Sequence, residues 1–490
     1  MRARAIPYKW LVAAAFVCGL FMDIMDSTIT NVALPVLGRQ FHADTGTIEW
    51  VVTGYLLSLA IWVPASGWIG DRFGTKKTFA FALFMFTLSS ALCGAAWNIE
   101  SLIAFRILQG VGGGMLTPVG AAMLFRAFPP NERAAASAVL AVPTFIAPAS
   151  GPILGGWLVD SVSWRWIFYV NLPIGLLGLL FTLLFLREEK EPTAGSFDVI
   201  GFLTSGAGLA LILYGLSRGP EDGWSAPHVV GTLVAGVALF VVLVVWELHV
   251  DEPMLALRLF GDRMFRNSNL FMFASVGSML GVLFLLPLFL QELRGLSALE
   301  SGLTTFPQAL GMMALVPLTS RLYPRIGPRR MMLAGIIGVT ITTGLFLFVD
   351  LQTNLWWIRA IMFLRGTTLA WSMVPMQAAT FSTITPQDTG RASALMNTNQ
   401  RVASSVGVAV LATVLIQRTT MHLSHAAPNA AARAHAAVLA YHDAFFAGVL
   451  ICLIGVAFAF LIHDEDAAAS MQRGDARERE EVFAEPALLG

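Results

Sequence analysis

The sequence contains few charged residues. Asp, Glu, Lys and Arg make up 13% of the chain, whereas an ordinary soluble protein has roughly 25%. Hydrophobic residues account for 56%, and the mean hydropathy is +0.70. The 31 basic and 31 acidic side chains cancel, and no basic run has the density that binding to a nucleic-acid backbone requires. The composition therefore argues against a soluble or nucleic-acid-binding protein and predicts a chain that crosses a membrane many times.

Cysteine is also scarce, and so are the signatures of cofactor chemistry. Cys18, Cys93 and Cys452 all lie in apolar runs, which leaves no disulfide framework and no cysteine-based metal site. A loop rich in Ala carries four histidines whose spacing matches no metal-ligand template: His422, His425, His435 and His442. The absence of a GxxxxGK[ST] loop argues against ATP as the energy source. We therefore expect no cofactor, no metal and no enzymatic activity.

Long apolar runs are what the sequence has in abundance. About 20 helical residues cross a hydrocarbon core of about 30 Å. The first apolar run is too long for a secretory signal, contains two acids and lacks a clear cleavage site. The predicted fold class is an all-α polytopic membrane protein with fourteen uncleaved transmembrane helices. These spans lie near residues 10–32, 50–70, 78–97, 100–125, 136–159, 166–187, 198–217, 228–249, 269–291, 300–320, 331–350, 355–380, 394–417 and 441–462.

The basic residues divide unevenly between the two sides of the predicted membrane. Alternate loops and both termini carry 21 Lys and Arg on one side, and the opposite loops carry six. By the positive-inside rule both termini face the cytoplasm, which agrees with an even number of spans. The tail after His463 mixes both charge signs and has little apolar content, so we expect it to be disordered.

The first six and last six spans look like copies of one unit. GWIGDRFGTKK at 67–77 aligns with SRLYPRIGPRR at 320–330, at an offset of 253 residues. Later positions align at an offset of 256, where Gly151 falls on Gly407. Two six-helix halves with a site between them support alternating access. We therefore predict an N-terminal bundle (1–190), two inserted helices with linkers (191–262), a C-terminal bundle (263–465) and a disordered cytoplasmic tail (466–490).

Three charges lie at one predicted depth in the membrane. Asp23 and Asp26 in span 1 are about 20 and 24 Å from the cytoplasmic edge of the membrane, and Arg106 in span 4 is about 21 Å from the same edge. A charge in the bilayer core costs roughly 2.5 to 3.5 kcal/mol, so such residues usually face a protein interior or a water-filled path. The two aspartates share one helix face.

These charges suggest a proton-coupling site. We hypothesise that Asp26 is the main proton carrier and Arg106 its electrostatic partner, because protonation removes a charge that must otherwise stay paired or hydrated. Asp23 is then a second carrier or a contact for cationic substrate. The alternative is a buried ion pair that only fixes helix packing.

Five motifs, in chain order, resemble those of the major facilitator superfamily and its fourteen-span drug/proton antiporter group. They are MDSTITNVALP (25–35), GWIGDRFGTKK (67–77), LIAFRILQGVGGG (102–114), SGPILGG (150–156) and WRWIFYVNLPIG (164–175). The similarity covers most of residues 10–460. It implies the major facilitator fold, with two six-helix bundles and two inserted helices.

The resemblance assigns roles to two of these motifs. The loop motif implies a cytoplasmic latch that holds the outward-open state, with charges that only set topology as the alternative. Its residues are Gly67, Asp71, Arg72, Gly74 and Lys76. In the second copy Pro324 replaces the acid, which puts a second latch in doubt. The span 5 motif marks antiporters and implies a helix interface that seals against leak, with ordinary helix packing as the alternative. Its residues are Pro148, Gly151, Pro152, Gly155 and Gly156.

The resemblance also implies a function. We expect a proton-coupled antiporter that exports lipophilic or cationic drugs and related compounds across a bacterial cytoplasmic (inner) membrane by alternating access. Four further polar residues are candidates to line the cavity: Asn31, Gln109, Arg365 and Gln400. Arg359 and Arg401 are the other charges within later spans. We expect a monomer whose partners are small lipophilic substrates, protons and the bilayer, with a periplasmic adaptor protein as a further candidate.

Other functions stay open at this point. Export of one endogenous compound, such as an amino acid, siderophore or lipid, is the nearest alternative. A passive channel predicts flux that ignores the proton gradient. A membrane sensor requires a folded output domain, which fewer than 30 residues after span 14 cannot supply.

Overall fold

The computed structural model describes residues 7–43, 45–190, 195–250, 253–385, 387–427 and 429–471. Within these ranges the regular secondary structure is helical throughout and contains no strand. In a bilayer each backbone N–H and C=O must be satisfied internally, and a helix does this within one segment. The all-α prediction is confirmed.

The first half of the chain forms seven helices. The first five each correspond to one predicted span, and the sixth span is divided by a break at Val170 into a short helix α6 and a longer helix α7. The helices are α1 (Tyr8–Phe41), α2 (Thr45–Phe73), α3 (Thr75–Gly94), α4 (Ile99–Ala127), α5 (Arg133–Ser161), α6 (Trp166–Tyr169) and α7 (Asn171–Phe185). A 3-10 turn, Pro130–Glu132, precedes α5.

The second half repeats this arrangement after an inserted pair. The inserted helices are α8 (Val199–Asp222) and α9 (Pro227–His249). The second half then comprises α10 (Arg263–Leu288), α11 (Ala298–Thr305), α12 (Pro307–Ile326), α13 (Pro328–Gly344), α14 (Leu355–Thr380), α15 (Thr389–His425), α16 (Ala430–Phe460) and the short α17 (Ala468–Met471). Helix α10 continues into the π-helical turn Phe289–Leu293, and α11 and α12 together occupy the tenth predicted span.

Polar side chains fix where several helices begin. At α4 the Asn98 Oδ1 accepts a hydrogen bond from the Ser101 backbone N–H at 2.9 Å, and the Ser101 hydroxyl accepts one from the Asn98 N–H at 3.3 Å. This reciprocal pair satisfies two backbone donors that the first helical turn leaves free. Ser297 and Glu300 form the same capping box at α11. Single side-chain caps begin four more helices, from Asp198, Asp262, Asn354 and Asn429.

The fourteen predicted spans all coincide with long helical segments. Eleven of the described helices are long and apolar enough to cross a membrane. The remaining three predicted spans correspond to α5, α12 and α14. Helices α12 and α14 each carry two arginines, at positions 321 and 325 and at positions 359 and 365, which lower their hydropathy.

The two halves share local features at repeated positions. Gly74 before α3 and Gly327 before α13, 253 residues apart, have φ of 102° and 85°. This left-handed region favours glycine because a Cβ would clash with the backbone. Gly151 and Gly407 also play matching parts. A Cβ on Gly151 would lie 2.1 Å from the Thr28 hydroxyl of α1, and one on Gly407 would lie 2.2 Å from the Gly277 carbonyl oxygen of α10. In each half the fifth helix therefore packs closely on the first.

The inserted helix α8 lies against both halves. Toward the first half, Arg218 forms an ion pair with Glu49 at 2.6 Å, and Tyr214 stacks on Trp50 with ring centroids 6.2 Å apart. Toward the second half, Trp224 lies just after α8, and its indole N–H donates to the Thr413 hydroxyl of α15 at 2.9 Å. The inserted pair is thus attached to α2 and α15, one helix from each half.

The beginning of the C-terminal tail is ordered, contrary to the prediction of disorder from residue 466. Residues Asp464–Ala467 form a 3-10 turn that leads into α17, and Ser470 is buried against the Tyr323 hydroxyl at 2.7 Å. Arg263 donates two hydrogen bonds of 2.8 Å to the Asp466 carboxylate, and this guanidinium lowers the pKa of Asp466. Apolar and polar contacts with the bundle offset the composition bias that predicted disorder. Residues 472–490 lie outside the described residues.

Candidate functional site

Asp26 lies at the centre of a buried polar cluster in the first half. Its carboxylate is fully buried in the middle of α1. Oδ2 accepts a hydrogen bond from Arg106 Nη1 of α4 at 2.5 Å. Oδ1 accepts from Gln109 Nε2 at 3.0 Å and from Asn171 Nδ2 of α7 at 2.8 Å. The predicted proximity of Asp26 and Arg106 is therefore observed, and three helices meet at one carboxylate.

The Arg106 guanidinium is held on several sides. Nε donates to the Val51 carbonyl oxygen at 3.0 Å, and Nη1 also donates to Gln109 Oε1 at 2.7 Å. The Tyr55 ring lies against the guanidinium, with 4.2 Å between Cζ and the ring centroid. Nη2 has no hydrogen-bond partner in the described part of the chain. Losing either member of such a fully buried ion pair leaves an uncompensated charge, which costs about 3–5 kcal/mol.

Asp23 lies three residues before Asp26 and has a different set of partners. The Tyr55 hydroxyl donates to Oδ1, and the Thr117 hydroxyl of α4 donates to Oδ2 at 3.2 Å. Arg401 Nη2 of α15 lies 3.6 Å from Oδ2. Because Tyr55 contacts both Asp23 and Arg106, the two carboxylate sites belong to one network.

The Asp23–Arg401 ion pair joins the two halves of the molecule. Asp23 belongs to the first helix of the first half, and Arg401 to the fifth helix of the second. The Asp23 side chain is 3% exposed, whereas that of Arg401 is 31% exposed. The pair therefore lies at the edge of the buried network, with the cation partly exposed and the carboxylate surrounded by protein.

Glycines of the LQGVGGG segment allow this network to form. A Cβ on Gly110 would lie 2.7 Å from the Tyr55 carbonyl oxygen, and one on Gly113 would lie 2.7 Å from the Tyr55 hydroxyl oxygen. Such distances are shorter than real Cβ contacts, so only glycine fits without displacing a neighbour. The close approach of α2 to α4 brings the Tyr55 hydroxyl to Asp23.

The predicted latch residues divide into two groups. Asp71 Oδ1 accepts a hydrogen bond from Arg126 Nη2 at 2.7 Å. The carboxylate also lies against Gly390 in the first turn of α15, where a Cβ would be 2.8 Å from Oδ1. A helix N-terminus favours a negative charge. Gly67 packs on the same turn, where a Cβ built on Gly67 would lie 2.8 Å from the Gly390 carbonyl oxygen. Asp71 and Gly67 therefore contact the opposite half.

The other predicted latch residues contact their own half or solvent. Lys76 Nζ donates to the Leu183 carbonyl oxygen at 2.8 Å, and Gly74 packs against the Glu188 carboxylate. The Arg72 side chain is exposed. In the second copy, Asp464 lies against Gly327 and accepts a hydrogen bond from the Arg329 N–H at 2.8 Å. A carboxylate that follows the sixth span thus packs on the loop glycine in both halves.

The end of the bundle that carries Asp71 is closed between the halves. We call it the terminal face, because α1 begins and α16 ends there. The Ser393 hydroxyl of α15 donates to the Pro118 carbonyl oxygen of α4 at 2.8 Å. The rings of Phe125 and Phe381 stack with centroids 4.2 Å apart. Polar and aromatic contacts therefore join α4 to α14 and α15 at this face.

The span 5 motif lies beside the aspartate helix. Gly151 packs against Thr28, two residues from Asp26, so this glycine sets the distance between α5 and α1 next to the polar network. Gly155 is buried, and a Cβ on Gly156 would meet nothing within 4 Å. The side chains of Pro148 and Pro152 lie outside the described part of the structure, although both residues belong to α5.

The four residues predicted to line a cavity have different positions. Gln109 belongs to the Asp26 cluster, and Gln400 is half-buried beside Arg401. Asn31 is exposed, and Arg365 is fully buried within the second half.

The sequence reasoning did not assign Tyr55, Thr117 or Asn171 to the site. Asn171 lies in WRWIFYVNLPIG, one of the five motifs that resemble the superfamily, but the resemblance assigns no role to this asparagine. Arg401 was a polar candidate without a predicted partner.

An apolar cavity of about 440 Å³ lies between α2 and α4. Trp50 and Trp62 contribute to its wall, and both rings contact α8, at Tyr214 and Phe202. The remaining wall is mostly aliphatic, with Gly54, Ile61, Ile107 and Val111 among its residues. The volume of the cavity falls within the range of small-molecule sites, and its wall carries one polar side chain, Ser58.

Comparison with known proteins agrees with this architecture. The family model of the Major Facilitator Superfamily matches residues 16–408. The chain is 36% identical over 414 residues to the multidrug resistance protein B homolog of Mycobacterium tuberculosis, covering 83% of this chain and 76% of the relative. It is 31% identical over 419 residues to the multidrug export protein EmrB of Escherichia coli K12, covering 84% and 81%.

Solved structures show the same fold. The proton:xylose symporter XylE, bound to 6-bromo-6-deoxy-D-glucose, matches with a TM-score of 0.64 at 15% identity, covering 95% of this chain and 99% of the symporter. The human organic anion transporter MFSD10 matches with a TM-score of 0.61 at 16% identity, covering 91% and 100%. The resemblance recognised in the motifs is confirmed. The chain belongs to the major facilitator superfamily and is a multi-pass membrane transporter, not an enzyme.

Proposed function

We propose that this transporter is a proton-coupled antiporter that exports lipophilic and cationic compounds by alternating access. The observation that carries this proposal is the network that links Asp26 and Arg106 to Asp23 and, through Arg401, to the opposite half. Relatives named for multidrug resistance and multidrug export support the substrate class. The apolar cavity between α2 and α4 offers aromatic and aliphatic contacts to such molecules.

Asp26 is the proposed main proton carrier. Its ionised form suits the three N–H donors around it, from Arg106, Gln109 and Asn171. Protonation removes the charge that balances Arg106 and places a proton where a donor now points. The α1, α4 and α7 side chains must then rearrange. A proton can in this way change helix packing at the centre of the first half.

Asp23 is the proposed coupling point between the halves. A proton or a substrate cation at this carboxylate competes with Arg401 and weakens the contact between α1 and α15. Since Tyr55 contacts Asp23 and lies against Arg106, a change at one carboxylate alters the surroundings of the other. Exchange follows if the proton and the cationic substrate favour different arrangements of the halves.

Asp71 and Gly67 are the proposed latch on the terminal face. The negative carboxylate at the start of α15 favours a closed terminal face, and the neighbouring backbones fit only because Gly67 and Gly390 lack side chains. We propose that Arg72, Gly74 and Lys76 support this latch from their own half by positioning the α2–α3 loop. Gly151 holds α5 close to α1, and the span 5 motif is proposed to limit leak at this interface.

We propose a bacterial cytoplasmic membrane as the location, with the terminal face in the cytoplasm. The excess of Lys and Arg in the loops of this face supports that orientation. The boundaries at residues 190, 262 and 465, the monomeric state and a periplasmic adaptor protein stay predictions from the sequence.

Transport by purified protein tests the proposal. The wild-type chain and Asp26→Asn are reconstituted in liposomes, and movement of a lipophilic cationic dye is followed after a pH jump. We expect the wild type to move dye in response to the gradient and the variant to lose this response. Asp350→Asn, which changes an exposed loop carboxylate, is the matched control. Gradient-driven transport by Asp26→Asn would contradict the proton role, and a substrate panel separates multidrug export from export of one endogenous compound.

A further inference from the structure

Arg365 is a fully buried cation without an acidic partner. Its guanidinium lies inside the second half, where Nη1 donates to the Thr343 hydroxyl and Nη2 to the Ser278 carbonyl oxygen at 3.5 Å. Nε has no hydrogen-bond partner in the described part of the chain. No carboxylate of the described residues lies within ion-pair distance of this arginine. Its positive charge is therefore not balanced as that of Arg106 is.

Arg365 and Arg106 each belong to a polar cluster that involves the same spans of their own half. Both arginines lie on the fourth span of their half. The Arg106 cluster reaches the first and sixth spans through Asp26 and Asn171, and Asn171 in turn donates to Ser90 of the third span at 3.1 Å. The Arg365 cluster reaches the same three spans of the second half.

In the second half the polar partners are neutral. Arg365 contacts Ser278 of the first span and Thr343 of the third. The Ser278 hydroxyl lies 2.8 Å from the Cys452 sulfur of the sixth span. The Arg365 cluster thus joins the first, third, fourth and sixth spans of its half. Gly110 and Gly366 pack in the same way on the second span, at the carbonyl oxygens of Tyr55 and Gln308, which aligns Arg365 with Gln109 and not with Arg106.

The second half has serines where the first half has aspartates. Ser275 and Ser278 follow Asp23 and Asp26 at a common offset of 252 residues, and Thr343 follows Ser90 at 253. Ser275 and Ser278 are three residues apart, so they share a face of α10. The buried Ser275 hydroxyl, like Arg365 Nε, has no hydrogen-bond partner among the described atoms. The second half therefore has hydroxyl groups in place of both carboxylates, next to a buried cation.

Nearby dipoles compensate for only part of the missing negative charge. Thr343 lies at the end of α13 (Pro328–Gly344), and a helix C-terminus carries an effective charge of about −0.5. A buried charge without a full counter-charge is costly in a low-dielectric interior. A mobile anion would supply that charge and accept hydrogen bonds from the two unpaired donors.

We propose that the second half contains a binding site for a small monovalent anion, formed by Arg365, Ser275 and Ser278. The ligand supplies the negative charge that the Asp26 carboxylate supplies in the first half. Its chemistry is that of chloride or of a small carboxylate. Because the site does not involve the proton network, the proposal is independent of the proposed function.

Anion-dependent thermal stability of the purified full-length protein tests the site. Tm is measured by tryptophan fluorescence while chloride or acetate replaces gluconate at constant ionic strength. A ligand that binds only the folded state raises Tm in a saturable way. We expect a rise of a few degrees with chloride, with acetate or with both, which identifies the ligand source. Equal Tm values in gluconate, chloride and acetate would overturn the proposal.

Four variants locate the effect. Arg365→Met removes the cation and should abolish the anion-dependent shift, whereas Arg359→Met on the same helix should keep it. If Arg365→Met does not fold, Ser278→Asp provides the decisive result, because it restores a built-in carboxylate and should also abolish the shift. Ser278→Asn is its uncharged control and should retain at least part of the shift. A full shift in Ser278→Asp would overturn the site.

Discussion

Asp23 of α1 and Arg401 of α15 form an ion pair between the two halves, with 3.6 Å between Oδ2 and Nη2. The carboxylate also accepts hydrogen bonds from Tyr55 and Thr117, both of the first half. Arg401 is therefore the single described cation that reaches this network from the opposite half. A contact of this kind makes the charge on Asp23 a determinant of how the halves meet.

Removing the Arg401 charge should impair transport. Arg401→Gln leaves Asp23 with two hydroxyl donors and no cation, so protonation of Asp23 no longer changes the attraction between the halves. We expect dye efflux from cells to fall by about tenfold, which corresponds to about 1.4 kcal/mol of transition-state free energy. Arg401→Lys should keep part of the activity because it retains the charge without the planar donor geometry.

Arg418→Gln is the matched control for this prediction. Arg418 lies on the same helix and pairs with Asp443 at 3.4 Å, but it is 47% exposed. Equal expression of the variants is checked by immunoblot. If Arg401→Gln and Arg418→Gln retain the same efflux rate, the bridge to Asp23 has no role in transport.

Asp26 and Arg106 should depend on each other for stability. Asp26→Asn leaves the Arg106 charge buried, and Arg106→Gln does the same to Asp26. Each single change should destabilise the protein by about 3–5 kcal/mol. The double variant should recover much of this loss because no unpaired charge is left. Denaturation in detergent gives the coupling energy, and additive losses in the double variant would disprove the dependence.

Gly113→Ala should disturb transport more than folding. The new Cβ would lie 2.7 Å from the Tyr55 hydroxyl oxygen and 3.4 Å from Asp23 Oδ1. The Tyr55 side chain can shift, but it then loses its hydrogen bond to Asp23. We expect a marked fall in the efflux rate with a small change in Tm. Gly231→Ala, where a Cβ meets nothing within 4 Å, should preserve the rate.

Asp71 and Arg72 should differ in their effect on the terminal face. Asp71→Asn removes the charge at the start of α15 and should open this face more often, whereas Arg72→Gln changes an exposed side chain that acts only through the α2–α3 loop and should have a smaller effect. Alkylation of a cysteine introduced at Phe381, in a background without the three native cysteines, measures the opening. Equal alkylation rates for the two variants would show that Asp71 does not hold the face closed.

The stability contributed by Asp466 should depend on pH. Hydrogen bonds from Arg263 lower the pKa of Asp466 below its ordinary value of 3.8. The stabilisation is therefore present above pH 3.8 and is lost as the pH falls through the lower pKa of the folded state. Asp466→Asn should lower Tm at pH 7, and the difference from the wild type should shrink under acid conditions. A Tm difference that does not change with pH would contradict this assignment.

The depth of charged residues was accessible from the sequence, and their neighbours were not. The rise of 1.5 Å per residue placed Asp26 and Arg106 in one layer, and the structure has them in contact. The partners of Asp23 depend on how α2 and α15 rotate about their axes. Hydropathy does not determine this rotation for helices that are apolar on most faces. Tyr55 and Arg401 were therefore not identified as partners.

The latch and the second half illustrate the same limit. Asp71, Arg72 and Lys76 are close in sequence, yet successive helical residues point about 100° apart, so only Asp71 reaches α15. The repeat correctly predicted that Gly327 occupies the position in the second half that Gly74 has in the first. It did not indicate that Asp464, far along the chain, would approach Gly327, because long-range partners carry no local sequence signal.

In the proposed alternating-access mechanism, the attachment of α8 to both α2 and α15 would restrict the movement of the two halves. Any motion that widens the gap between those two helices must stretch or exchange the contacts at Arg218 or at Trp224. The inserted pair would thereby act as a flexible link between the two halves along one side of the molecule. Its length and stiffness would then set how far the two halves separate on this side of the molecule.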